Sequence, residues 1–168
     1  MKKRTKILTI LNSIYVLIVF FFLLSELTSF EVKNQAIKSF VYFGLLSGTP
    51  ILLIWNLIIS KSNKKMITTI LPILMLIGIF IIGPMKILYS SSTWKTQIIK
   101  YQNGHLNFKK VEFQMQDVGA LGYNKRTVEV IYLTNVFMLV SNVEKDIEQR
   151  VEWVKVDKEV NELGLKNP

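Results

Sequence analysis

Few side chains in this sequence have both the type and the setting to do chemistry. His105 is the single histidine, one residue past an Asn103-Gly104 turn signal. Metal sites gather several ligands, so His105 reads as a solvated turn residue. Carboxylates crowd the stretch EKDIEQRVE at Glu144, Asp146, Glu148 and Glu152, with Glu112 and Asp117 upstream. Paired acids hydrolyse glycosidic bonds when they face each other across a substrate. Here Lys145 and Arg150 interleave with them, the pattern of a self-neutralised surface.

The chain has no cysteine, which excludes thiolate nucleophiles, disulfides and cysteine-held zinc. No G-x-S-x-G nucleophile setting occurs. The run Gly119-Ala-Leu-Gly122 lacks the G-x-G-x-x-G spacing of a dinucleotide cradle and reads as a turn between strands. Tyr123, Lys125 and Arg126 beside it make the segment a candidate partner-binding loop, because loops carry recognition more often than strands do. A non-enzymatic role is expected, with no cofactor and no metal.

The elements that must position these residues divide sharply. Of the 168 residues, the first 89 carry ten Lys or Arg against two acids, and the remainder eleven against ten. Eight of the nine net positive charges therefore sit in the apolar half, at the ends of hydrophobic runs. Such charge orients a protein in a bilayer; a nucleic-acid footprint would lie on a folded domain, and none is expected.

Three apolar runs predict three transmembrane helices, at about 7–27, 39–59 and 66–88. The basic MKKRTK before the first run and the lack of a small-x-small cleavage site after it predict an uncleaved signal anchor. The connection 25–38 reads as a short polar loop. Gly44 and Gly48 share one face of the second run, a G-x-x-x-G spacing that permits close helix approach. Packing against the chain's other spans is the first reading and a homo-oligomer interface the second. Gly83-Pro84 predicts a bend, with Ile87-Leu88-Tyr89 continuing along the interface. Asn12 and Asn56 are the amides within the runs, and each is expected to bond another helix or to reach the interface. No charged residue lies at mid-span, where ion-coupled transport normally needs one. Bases at the N-terminus and in the 60–65 loop put both in the cytoplasm and residues 90–168 outside.

Ser90–Thr93 reads as a flexible linker, and 94–168 as a small antiparallel β-rich extracytoplasmic domain. Asn103-Gly104 predicts a two-residue hairpin turn between strands 97–102 and 105–108, with a bulge or a new strand at Lys109-Lys110. Strands are expected at 127–133 and 136–143, the latter apolar on both faces and so central or membrane-facing. A turn or short helix at 144–149, a strand near 151–156 and a helix 157–163 complete the reading. The whole is an α+β membrane protein whose partners are the bilayer and an envelope protein, in a subunit, assembly-factor or immunity role. A membrane-anchored envelope enzyme and a small oligomeric channel are the alternatives.

Overall fold

The computed structural model describes residues 2–59, 62–143, 147 and 150–165. It is α+β and divides into two units, one of residues 1–26 with 39–91 and one of 27–38 with 92–168.

The first unit holds four helices: α1 (Lys2–Leu27), α2 (Gln35–Ile59), α3 (Ser62–Ile82) and α4 (Pro84–Ser90). Lys6–Leu27 and Gln35–Ile59 are each long and apolar enough to cross a membrane. A third span is reached only if Ile67–Ile82 and Pro84–Ser90 count as one, and these meet at 87°. The break is where the sequence predicts it. Gly83 takes a φ of +95°, which favours glycine, and Pro84 opens the next helix, where its missing N–H costs nothing. The core of this unit runs through Phe22, Leu45 and Ile87, all nearly sealed from solvent.

Most polar groups inside it are neutral, although the buried Tyr42 hydroxyl donates to Glu26 Oε1 at 2.8 Å. The amides of Asn12 and Asn56 exchange two hydrogen bonds of 3.0 Å, and Asn56 Nδ2 also donates to Thr68 O at 2.8 Å. One side chain thus joins α1, α2 and α3. The hydroxyls of Tyr15 and Thr49 share a 2.7 Å bond. Unpaired polar groups in such surroundings cost several kcal/mol each, so pairing is the condition of their being there.

The second unit is a six-stranded antiparallel sheet in the order β1-β5-β4-β3-β2-β6. Its strands are β1 (Phe30–Val32), β2 (Trp94–Asn103), β3 (Lys109–Asp117), β4 (Tyr123–Tyr132), β5 (Phe137–Asn142) and β6 (Trp153–Glu159). The segment expected as a polar loop between the first two helices instead supplies an edge strand: Phe30 pairs with Leu139 and Val32 with Phe137. Three residues suffice because Phe30 and Val32 alternate with Glu31, presenting an apolar side and a charged one. β5 lies between β1 and β4, the central position its sequence predicts, although only its Met138 face is well covered and Leu139 is exposed.

Three further expectations change. The hairpin turn is not two residues long; β3 starts at Lys109, leaving 104–108 as a loop. Asn103 organises it with its side chain, Oδ1 accepting from His105 N at 3.0 Å and Leu106 N at 2.9 Å, while Gly104 N donates to Glu152 O. An Asn that caps its own turn in this way competes with the tight I′ geometry. At Lys109-Lys110 the new strand is the alternative that forms, and the ladder irregularities fall in β2, between Thr96 and Ile98 and between Ile99 and Tyr101.

No helix forms at 157–163. β6 continues to Glu159, and positive φ at Asp157 and Asn161 then turns the chain. That kink, with Lys155 and Lys158 beside it, blunts the free edge of the sheet. Ser91 and Thr93 are buried rather than a flexible linker. Gln35 Oε1 accepts from Thr93 N and Oγ1 at 2.8 and 2.9 Å, and Ser92 O accepts from Lys38 Nζ and Gln116 Nε2, both at 2.8 Å. The turn or helix expected at 144–149 falls, apart from Ile147, outside the described residues.

Candidate functional site

Alternation along β3 sends Val111, Phe113 and Met115 to one face of the sheet and Glu112, Gln114 and Gln116 to the other. A sheet with one wet face would leave the second set in solvent. Instead all three are buried, Glu112 to 1% exposure. A buried carboxylate must be saturated with donors, and this one is. Thr96 Oγ1 donates to Oε2 at 2.7 Å, Gln114 Nε2 to Oε2 at 3.0 Å, and the Tyr132 hydroxyl is shared between both oxygens at 2.9 Å.

From this hub two arms reach the segment that carries β1. Along one, Lys33 Nζ donates to Tyr132 Oη at 3.3 Å and pairs with Glu162 Oε1 at 3.0 Å; Glu162 Oε2 in turn accepts from Thr96 N at 2.9 Å. Along the other, Gln114 Oε1 accepts from Arg126 Nε and Nη2. That guanidinium grips both oxygens of Glu31 at 2.7 Å and lies 4.0 Å over the Trp94 ring. Bidentate geometry of this kind is what arginine supplies and lysine does not.

Burial raises the Tyr132 pKa first, and the Glu112 carboxylate beside it adds to the rise. Burial alone would lower Lys33, but Tyr132 and Glu162 outweigh it and hold the ammonium above its ordinary value. Chemically the cluster is closed: Glu112 has neither an open side nor solvent access for a reacting group. Its geometry fastens the first interhelical segment to the sheet.

The residues singled out in the sequence are scattered. Gly119, Gly122, Tyr123 and Lys125 do share one feature, the β3–β4 turn. Gly119 and Gly122 take φ of +66° and +87°, Val118 N bonds Gly122 O at 3.0 Å, and Gly119 N bonds Asp117 Oδ1 at 2.7 Å. Leu121 crests this knuckle at 70% exposure, with Tyr123 and Lys125 exposed behind it. Arg126 does not join them, since its guanidinium is committed to Glu31.

Glu112 and Asp117 stand on opposite faces, so they do not converge. Glu152 pairs loosely with Arg150 at 3.6 Å, and Glu144, Asp146 and Glu148 fall outside the described residues. His105 lies exposed in its loop. Among the described residues no three His, Cys, Asp or Glu gather into a metal site. In the helical unit Gly44 and Gly48 face α1: a Cβ on Gly44 would stand 2.9 Å from Ile18 Cδ1, and one on Gly48 3.9 Å from Tyr15 Cδ2.

A second surface had no motif to announce it. Tyr132 N donates to Phe108 O at 2.9 Å, which joins the 104–108 and 133–136 loops at the end of the sheet opposite the knuckle. There Leu106, Phe108 and Leu133 are all exposed. The signal available beforehand was an apolar residue inside each of two turns. No known protein family, no curated protein and no solved structure matches the chain.

Proposed function

We propose that this chain is a non-enzymatic accessory protein of the cytoplasmic membrane, with a sheet domain on the outer side that docks a protein partner. The observation carrying the reading is the apolar surface of Leu106, Phe108 and Leu133 on two joined loops. Loop residues of this kind are surplus to the core. Clustered apolar exposure marks interaction sites, and aromatic anchors such as Phe108 are enriched in them. The knuckle of Leu121 and Tyr123 is a smaller surface of the same character at the other end.

The closed hydrogen bonding of Glu112 supports a fastening role for the polar cluster in place of a catalytic one. The topology is supported from two directions. Basic residues mark the N-terminus and the 60–65 loop as cytoplasmic. Independently, β1 comes from the segment between α1 and α2 and pairs with a strand that follows α3 and α4. Both segments must therefore lie on one side of the membrane. If α1 and α2 each cross, this requires α3 with α4 to complete a third crossing.

Two experiments test the proposal. In the cysteine-free chain, an impermeant maleimide applied to intact cells is expected to label Leu121→Cys and not Asn63→Cys; the reverse pattern removes the topology. A tagged chain in mild detergent is expected to bring down a stoichiometric protein that Phe108→Asp with Leu133→Asp releases. A partner held equally by that double variant, or a chain that purifies alone, overturns the docking surface.

A further inference from the structure

An apolar cleft of about 260 Å³ lies between α1 and α2, lined by Tyr15 and Gly48 together with Leu11, Ile14, Ile51 and Trp55. Its shape follows from what the two glycines already do. At Gly44 the close approach that a missing side chain permits is taken up inside the chain, by Ile18. Over Gly48 nothing comes closer than Tyr15 Cδ2, and the space stays open.

A partner helix would need far more room. At about 10–12 Å across, a helix could only lie over the cleft, with no more than a side chain or two filling its 260 Å³. A single file of methylene groups, packing carbon against carbon at about 3.5–4.0 Å, fits such a slot. Among the described residues that line the cleft none is charged, which suits a hydrocarbon tail and not a headgroup or an ion. Trp55 has the amphipathic ring that sits at the lipid–water boundary.

We infer that the cleft binds one acyl chain of a membrane lipid, laid against Tyr15 and Gly48 beside Trp55. The inference rests on the membrane reading above. Released from membranes in mild detergent, the full chain is expected to carry one phospholipid in native mass spectrometry. Gly48→Leu, whose side chain enters the slot, is expected to lower retention about tenfold or more. Ile14→Trp should do the same from the α1 side. Gly78→Leu, on α3 with nothing within 4 Å of its Cβ, is expected to leave retention unchanged.

A lipid-free wild-type chain, equal lipid on both filling variants, or a dimer peak abolished by Gly48→Leu, which would make a second copy the occupant, overturns the inference. Carbonate extraction separates its failure from that of the membrane reading. A chain that washes off membranes fails the latter, and one that stays embedded without lipid fails only the former.

Discussion

The two units each bury a polar cluster and solve the problem with different chemistry. In the helical unit most of the groups are amides and hydroxyls, Asn12 with Asn56 and Tyr15 with Thr49, neutral pairs whose remaining donors bond helix carbonyls. In the sheet unit they are charges: Glu31, Lys33, Glu112, Arg126 and Glu162 joined through Gln114, Thr96 and Tyr132. Hydrocarbon admits neutral pairs at little cost and charges at great cost. A sheet domain in water can surround a carboxylate with donors one strand at a time. The stakes differ accordingly. Breaking a neutral pair between helices leaves groups that find other partners, whereas removing a charge from a closed network strands everything aimed at it.

The largest effect that would sharpen this contrast is at Glu112. Glu112→Ala leaves the Thr96, Gln114 and Tyr132 donors facing a void, and about 3 kcal/mol or more of sheet stability should go. Glu112→Gln, which keeps the shape and one acceptor, should lose about half of that. Protease resistance of the purified chain against temperature reads both, and an alanine variant within about 0.5 kcal/mol of wild type breaks the comparison. Next comes the Arg126–Glu31 fork. A double-mutant cycle with alanine at each position should give a coupling of about 1–2 kcal/mol, since both partners are largely shielded from solvent. Third, Asn56→Leu in the helical unit should cost only about 1 kcal/mol, as interhelical hydrogen bonds in membranes generally do. Unfolding in mixed micelles measures it, and a loss equal to that of Glu112→Ala would erase the distinction.

The smallest effect is with pH, and it has one sign. Lys33 is raised above its ordinary 10.5, so its contribution is whole below that pH and is lost as pH climbs through the folded value. Tyr132 is raised above 10.0. The unfolded chain gives up that proton first, which again favours unfolding as pH rises. Stability should therefore be flat through neutrality and begin to fall just above pH 10. Tyr132→Phe and Lys33→Met should each soften the fall, and an unchanged alkaline limb in both would remove these groups as its cause.

The helical half was legible because its signals are local. Long apolar runs, clustered bases and Gly83-Pro84 each act within a few residues of themselves. The strands at 94–103 and 123–132 were legible in part from alternation, but their ends were not, because Asn103 spends its side chain on a wider loop. β1 was hidden for a different reason. Three residues between two helices have too little pattern to read, and Glu31 and Lys33 acquire meaning only from Arg126 and Tyr132, far along the chain. The same non-locality concealed the candidate site. Glu112, Gln114 and Gln116 read as the solvent side of a strand, and nothing nearby in sequence reveals that they are covered.

That distance has a temporal side. Glu31 meets Arg126 across 95 residues and Lys33 meets Tyr132 across 99. A ribosome adding about 5–20 residues per second needs roughly 5–20 s to deliver those partners after the first loop has been made. Throughout that interval Phe30–Val32 is an unpaired strand, and Glu31 and the adjoining Lys33 lack the partners they have in the finished sheet. The β1 edge of the sheet cannot form until β5 has been made to pair with it. A chain cut short before β5 would leave that segment without its pairing strand.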